Sequence, residues 1–374
     1  MQILKGAALA ATLLVVGSST ALAALIEVTN LVTDDQGANP AQTTDPDLVN
    51  AWGISYAPTG PFWVSDNGTG VTTLYSVNPA TNATTKLGLT VTIPGDGSIT
   101  GQTFNPAFGS GAFNGDLFAF VSEDGTISGW RASLGTSAEV LQIGSDANIY
   151  KGTTFATVGT HSYVYSANFR NGTIDVLKGD AAAPTLAGTF TDPTLPAGYA
   201  PFNVQNINGQ IFVTYALQDA SKEDEIAGAG NGFVDVFDTS GNLIGRVASN
   251  GSLNAPWGLS IAPASFGSIA GDLLVGNFGD GTINIFDLSS DTFKGLLTDK
   301  NGDIITIDGL WALTAGNNGP AGNADAIYFS AGPNGESHGL FGVIAAPVPE
   351  PATLSLILGG LLGGLTILRK KKAA

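Results

Sequence analysis

The sequence predicts an all-β chain: a six-bladed β-propeller closed by its N-terminal strand, with an N-terminal signal helix and a C-terminal apolar sorting helix outside the ring. Three observations carry this. Short runs of β-branched and aromatic residues, bounded by Gly, Pro, Asn and Asp, fill the body, the pattern of antiparallel strands and tight turns. One turn recurs six times, its glycines at Gly70, Gly125, Gly172, Gly232, Gly281 and Gly339, 47 to 60 residues apart. The chain has 51 glycines and no cysteine, so a large apolar core has to carry stability without disulfides. A small twisted sheet repeated at this period buries both its faces by packing radially against its neighbours.

The elements follow in order. Residues 1–23 read as a signal peptide: Lys5 is the basic start, Gly6 to Gly17 the apolar stretch, and Ala21 and Ala23 frame the site for signal peptidase. Ile26 to Thr33 is a strand without a blade of its own. Copy one of the repeat runs through Phe62–Ser65 and Val71–Val77, and copy two through Leu117–Ser122 and Thr126–Trp130. Copy three uses Tyr163–Ala167 and Thr173–Leu177. Copy four uses Ile211–Ala216 and Gly232–Phe237, split by an acidic insertion from Gln218 to Asn231. Copy five is Asp272–Val275 and Ile283–Asp287, and copy six is Ala326–Ser330 and Leu340–Ile344. Outer strands are expected at Lys86–Ile93, Glu139–Ile143, Leu186–Thr191, Leu243–Val247 and Phe293–Leu297. Copy six lacks one, and Ile26–Thr33 is expected to supply it. The domains are then 1–23, 24–346 and 347–374.

Charge narrows the partners. The chain carries 14 basic and 31 acidic residues, a net of −17. Removing Lys5, Glu350, Arg369 and Lys370–Lys372 with the two ends leaves 9 basic and 30 acidic residues, about −21. Such a surface repels nucleic acid and anionic lipid. It suits cations, neutral glycans or basic partners, and it favours solubility.

In a propeller the second-to-third-strand loops and the loops entering each first strand share one face. That face is expected to gather Asn50, Asp66, Asn67, Glu123, Asn168, Asn277, Glu336 and His338, with Asp124, Arg170 and Asp280 beside them. Converging carboxylates and amides without thiols suit a hard cation, so Ca²⁺ is the candidate cofactor. The same residue types are also what tight turns require. Asp219 to Glu225 lies on this face, as a solvated acidic loop or a cation- or partner-binding one. Asp299 to Asp303 starts like an EF-hand loop but fails its spacing, and reads as a hairpin turn. No GxSxG, HExxH or phosphate-loop pattern is present. Trp52, Trp257 and Trp311 recur at one repeat position, with Phe202 at a fourth, which predicts packing between blades.

Residues 347–374 form a separate module: Pro349-Glu350-Pro351, an apolar run from Leu354 to Leu368, then Arg369, Lys370, Lys371 and Lys372. The run is short for a stable span, and its basic end favours a cytoplasmic side. This order resembles the PEP-CTERM sorting signal. The resemblance implies a transient inner-membrane anchor, processing by an exosortase-type enzyme, and a Gram-negative, exopolysaccharide-making host. The body resembles exported bacterial proteins of uncharacterised function with NHL/YVTN-like propellers, on Asn50–Gly53, Phe62–Gly68, Asp308–Leu313 and Ala331–Gly342. That resemblance implies a propeller and no activity.

The expectation is therefore an exported cell-surface or matrix propeller acting as a non-catalytic binding module for polysaccharide or protein. It touches membrane only through its C-terminal helix. The alternative is a Ca²⁺-dependent hydrolase or lactonase with carboxylates at the channel mouth.

Overall fold

Alternation of apolar and polar residues over five to nine positions, punctuated by turn glycines, gives the sheets of this protein. The computed structural model describes residues 26–346, and within them it contains six sheets, with short 3-10 turns as the only helices. The expected signal peptide and sorting helix lie outside the described residues. Each blade begins with an inner strand: Ala51–Ser55, Ile99–Phe104, Tyr150–Val158, Tyr199–Ile207, Pro256–Ile261 and Leu310–Ala315 for blades 1 to 6.

The ring closes as the sequence suggests. The N-terminal strand Glu27–Thr33 pairs antiparallel with Leu340–Ala345, from Glu27 opposite Ala345 to Thr33 opposite Leu340. Thr43–Thr44 adds a short parallel strand outside it. The two ends of the domain thus share one sheet, and the N-terminal segment is held by a whole ladder of hydrogen bonds.

One expected strand is absent. Blade 3 has only Tyr150–Val158, His161–Asn168 and Thr173–Lys178, and Leu186–Thr191 is irregular. Pro184, Pro193 and Pro196 flank this stretch and withdraw donors on either side of it. The Gly188 and Phe190 amides donate instead to Ser240 and Gly241 of blade 4. Phe190, at φ 52°, packs on Tyr165 and Phe237 and so bridges blades 3 and 4. The Asp299–Asp303 segment is a turn, as its sequence predicts, closed by the Asp299 amide on the Asp303 carbonyl.

The core consists of the seams between blades. Phe62, Val64 and Tyr75 of blade 1 meet Tyr328, Phe341 and Val343 of blade 6. Trp63 and Leu74 meet Phe118 and Phe120 across the next seam. The seam of blades 3 and 4 joins Tyr163 and Tyr165 to Val213 and Tyr215. Burying each such side chain contributes about 1.5–3 kcal/mol, so the ring is held by its radial seams.

A bulge in every inner strand decides what lies on the axis. Pairing with the second strand shifts between Ala51 and Ile54, Ile99 and Gln102, Tyr150 and Thr153, Pro201 and Asn203, Pro256 and Gly258, and Leu310 and Leu313. A bulge re-aims a side chain. Trp52, Thr100, Lys151, Phe202, Trp257 and Trp311 sit at this place in the six blades. Inner strands approach so closely here that a Cβ on Gly53 would lie 2.7 Å from the Thr100 carbonyl oxygen.

Candidate functional site

The repeated aromatic residues pack between blades, as the sequence predicts, with Trp311 against Trp52 and Trp257 of the neighbouring blades, and they do so on the axis. Trp52 of blade 1 and Trp257 of blade 5 are not ring neighbours, yet their rings lie edge-to-face at 6.3 Å. Trp311 stacks on Trp52 at 3.5 Å and on Phe278 at 4.0 Å. With Ile149, Phe169 and Phe202 they form one buried cluster. The bulges turn these side chains inward, and the result is an aromatic plug across the channel.

A charged network caps the plug. Lys151 occupies the tryptophan position of blade 3, and its side chain is 1% exposed. Its ammonium donates to Glu123 Oε1 at 2.5 Å, lies 3.4 Å from Asp224 Oδ1, and sits 5.3 Å from the Trp52 ring centre. Glu123 Oε2 accepts from Asn67 Nδ2 at 3.3 Å. Asn50 Nδ2 donates to Glu336 Oε2 at 2.6 Å and to Asn67 Oδ1 at 3.2 Å, while Asn50 Oδ1 accepts from Trp311 Nε1 at 3.1 Å. The chain of bonds therefore runs from the plug to the ammonium. Burial pulls Lys151 down, but Glu123, Asp224 and Glu225 outweigh it and the net shift is upward. Burial pushes Glu225 up to about 7 and also raises Glu336.

Of the eight residues singled out in the sequence, Asn50, Asn67, Glu123 and Glu336 meet in this network. The other four lie elsewhere. Asp66 is fully buried inside blade 1, and burial holds its carboxyl well above the usual range. Strand alternation separates it from Asn67. Asn168 bonds Asn148 and Asp175, and its Oδ1 accepts from the Ile149 amide. Asn277 accepts from the Asn254 amide and donates to the Ser252 carbonyl. These two amides lock the loops of their own blades. His338 Nδ1 lies 2.8 Å from Asp34 Oδ2, whose partner oxygen accepts from Gly339, fastening the closing strand. Asp124 and Asp280 cap their own turns through the Thr126 and Thr282 amides. Arg170 pairs with Glu223 of the insertion.

The network does not fit Ca²⁺. That ion takes six to eight oxygens, whereas here an ammonium stands among the carboxylates and engages one of them. Both Glu123 oxygens are already used, and Glu336 is committed to Asn50. Among the described residues no cluster of three or more His, Asp or Glu side chains is arranged to hold a metal. Sequence reasoning missed Lys151. The signal was there: Tyr150-Lys151-Gly152 stands in the frame of Ala51-Trp52-Gly53 and Pro256-Trp257-Gly258. Asp224 and Glu225 were visible only as part of an acidic insertion.

Beyond the plug, toward the other ends of the inner strands, the axis opens into a cavity of about 280 Å³. All six blades line it, with Ser55, Gln102, Thr103, Gln205 and Thr314 as its polar wall and Trp257 at its inner end. No Asp, Glu, Lys, Arg or His lines it. This cavity also escaped the sequence reading, because it is built after the bulges, where the strands carry neutral residues without a recurring motif.

Comparison with known proteins places the chain. It is 30% identical over 296 residues to the uncharacterized protein R648 of Acanthamoeba polyphaga mimivirus, covering 74% of this chain and 70% of the relative. The chain belongs to that protein's family. A second mimivirus relative, the uncharacterized protein L690, is 29% identical over 322 residues, 80% of each chain. Residues 347–372 match the PEP-CTERM protein-sorting motif, which implies export, membrane-anchored sorting and processing by an exosortase-type enzyme. Among solved structures, a streptogramin B lyase aligns with TM-score 0.47 and 12% identity over 86% of this chain and 97% of its own. A nidogen/laminin complex aligns with TM-score 0.43 and 13% identity over 76% and 85%. At these scores neither lends its chemistry to this chain.

Proposed function

We propose that this exported propeller is a non-catalytic binding module of the bacterial cell surface or extracellular matrix. Its signal peptide, residues 1–23, is removed on export, the propeller spans 24–346, and residues 347–374 are the sorting tail. One observation carries the reading. The carboxylates and amides at the channel mouth are organised around the Lys151 ammonium, so the place a catalytic cation would take is held by a side chain. The concave space on the axis is lined by neutral groups, and burial raises its one phenol, Tyr56, further from ionisation, so the lining positions a ligand and supplies no carboxylate, imidazole or amine to act as acid or base. This weighs against a Ca²⁺-dependent hydrolase or lactonase.

The test is co-sedimentation of the purified exported protein with cell-free matrix from the producing bacterium. Saturable retention, unchanged by a calcium chelator and without release of soluble product, is expected. Calcium-dependent release of fragments, or no retention, would overturn the reading. Millimolar Ca²⁺ is expected to leave the melting temperature unchanged, whereas a bound ion at a hundredfold its Kd would add about 2.7 kcal/mol.

A further inference from the structure

We propose that the 280 Å³ cavity binds the terminal residue of an uncharged polyhydroxylated chain, a neutral sugar end. The inference rests on the binding-module reading and names the ligand class for it. The volume is far above the ~15 Å³ that one water needs and close to the ~300 Å³ at which small-ligand sites begin.

The wall is chemically specific. The buried hydroxyl of Ser55 has no hydrogen-bond partner. The Gln102 Nε2 donates to the Gly53 and Trp63 carbonyls, which fixes the amide and leaves its buried Oε1 unpaired. The indole Nε1 of Trp257 is also buried and unpaired. A buried polar atom left without a partner costs about 1–3 kcal/mol, and three such atoms belong to residues that line this one cavity. Gln205 adds a half-buried amide that makes no side-chain hydrogen bond among the described residues. Hydroxyls and amides both donate and accept, and this matches a sugar's vicinal hydroxyls. Trp257, Ala312 and Leu313 give an apolar patch for its C–H face.

Charge and shape complete the assignment. An ionic ligand would lose its hydration with no counter-charge in the lining, and the net charge of −17 repels anions at long range. Trp52 and Trp311, stacked on each other with Trp257 edge-on to both, close the channel behind the cavity. A blind site accepts the end of a chain and excludes its interior.

The experiment is saturation-transfer NMR, followed by calorimetry, on the exported protein with glucose, galactose, mannose, N-acetylglucosamine and the matching uronic acids. At least one neutral sugar is expected to bind saturably, with its uronate at least about tenfold weaker. Gln205→Ala and Ser55→Ala should each weaken binding about five- to tenfold, as loss of one hydrogen bond does, with melting temperatures near wild type. Absence of saturable binding across the panel overturns the ligand class, as does equal binding of uronates or unchanged affinity in both variants. Matrix retention that persists in any of these cases leaves the binding-module reading standing, because retention is measured separately.

Discussion

The two ends of the channel are built from the same six strands and do opposite things. At one end six re-aimed side chains bring three tryptophans, a phenylalanine and a lysine together, and surrounding carboxylates satisfy the lysine. At the other end the same strands present hydroxyls and amides, several without partners. At the first end carboxylates engage the ammonium, and the Trp52 indole Nε1 is the one plug donor of the cluster besides Trp257 that is buried without a partner among the described residues. The second has left bonding capacity open. Repeat symmetry therefore fixes the frame, the tryptophans within it close one end, and Lys151, where the other blades carry Trp, Phe or Thr, draws the carboxylates over that closure.

The comparison breaks most easily at the charged end. Trp311→Ala is expected to cost about 3–5 kcal/mol and to release Asn50 from its indole donor. Lys151→Met leaves Glu123 and Asp224 without their ammonium. The carboxylates left behind still reach solvent, so the loss is that of a charge-assisted hydrogen bond, about 1.5–3 kcal/mol, and the denaturation midpoint should fall accordingly. If either variant melts like wild type, the plug is not the closure described above.

The next effect is pH-dependent. Glu225 has a folded pKa raised from 4.5 to about 7, so the folded state holds a proton that the unfolded state has already lost. Its contribution is full below about pH 4.5 and is lost as pH rises through about 7. Glu225→Gln should remove this loss, raising stability at pH 8 by about 3 kcal/mol and leaving pH 4 unchanged. Asp116 and Asp235, each raised to about 6, share the sign, so the difference between variant and wild type is the quantity to measure. Equal pH profiles of the two proteins would remove Glu225 from the network.

How much of this was legible in the sequence differs between the frame and the ends. The turn glycines and strand patterns reveal six blades because they are local. The closing strand is legible because copy six lacks an outer strand. Leu186–Thr191 misleads because its apolar pattern is strand-like while three prolines around it withdraw donors. The tryptophans are legible as a repeat but not as a plug, since one bulge turns a side chain from seam to axis and bulges leave no local mark. Asn67 and Glu123 are recoverable from loop position. Asp66 is not, because strand alternation buries it one residue away. Lys151 stays hidden until the repeats are aligned on their glycines.

The smallest stability effects belong to the neutral end. Gln205→Ala should change stability by no more than about 0.5 kcal/mol, since its half-buried side chain makes no hydrogen bond among the described residues. Binding there should be constant between pH 5 and 8, because no Asp, Glu, Lys, Arg or His lines the cavity. Calorimetry at the two pH values checks this, and a tenfold change would tie the cavity to the charged end.

The most direct measurement is a crystal structure of the exported protein soaked with the neutral sugar that binds best and with Ca²⁺. The account predicts sugar density against Ser55, Gln102 and Gln205, with the Lys151–Glu123 pair intact. A metal ion held by Glu123 and Glu336 with Lys151 displaced, and no sugar in the cavity, would contradict it.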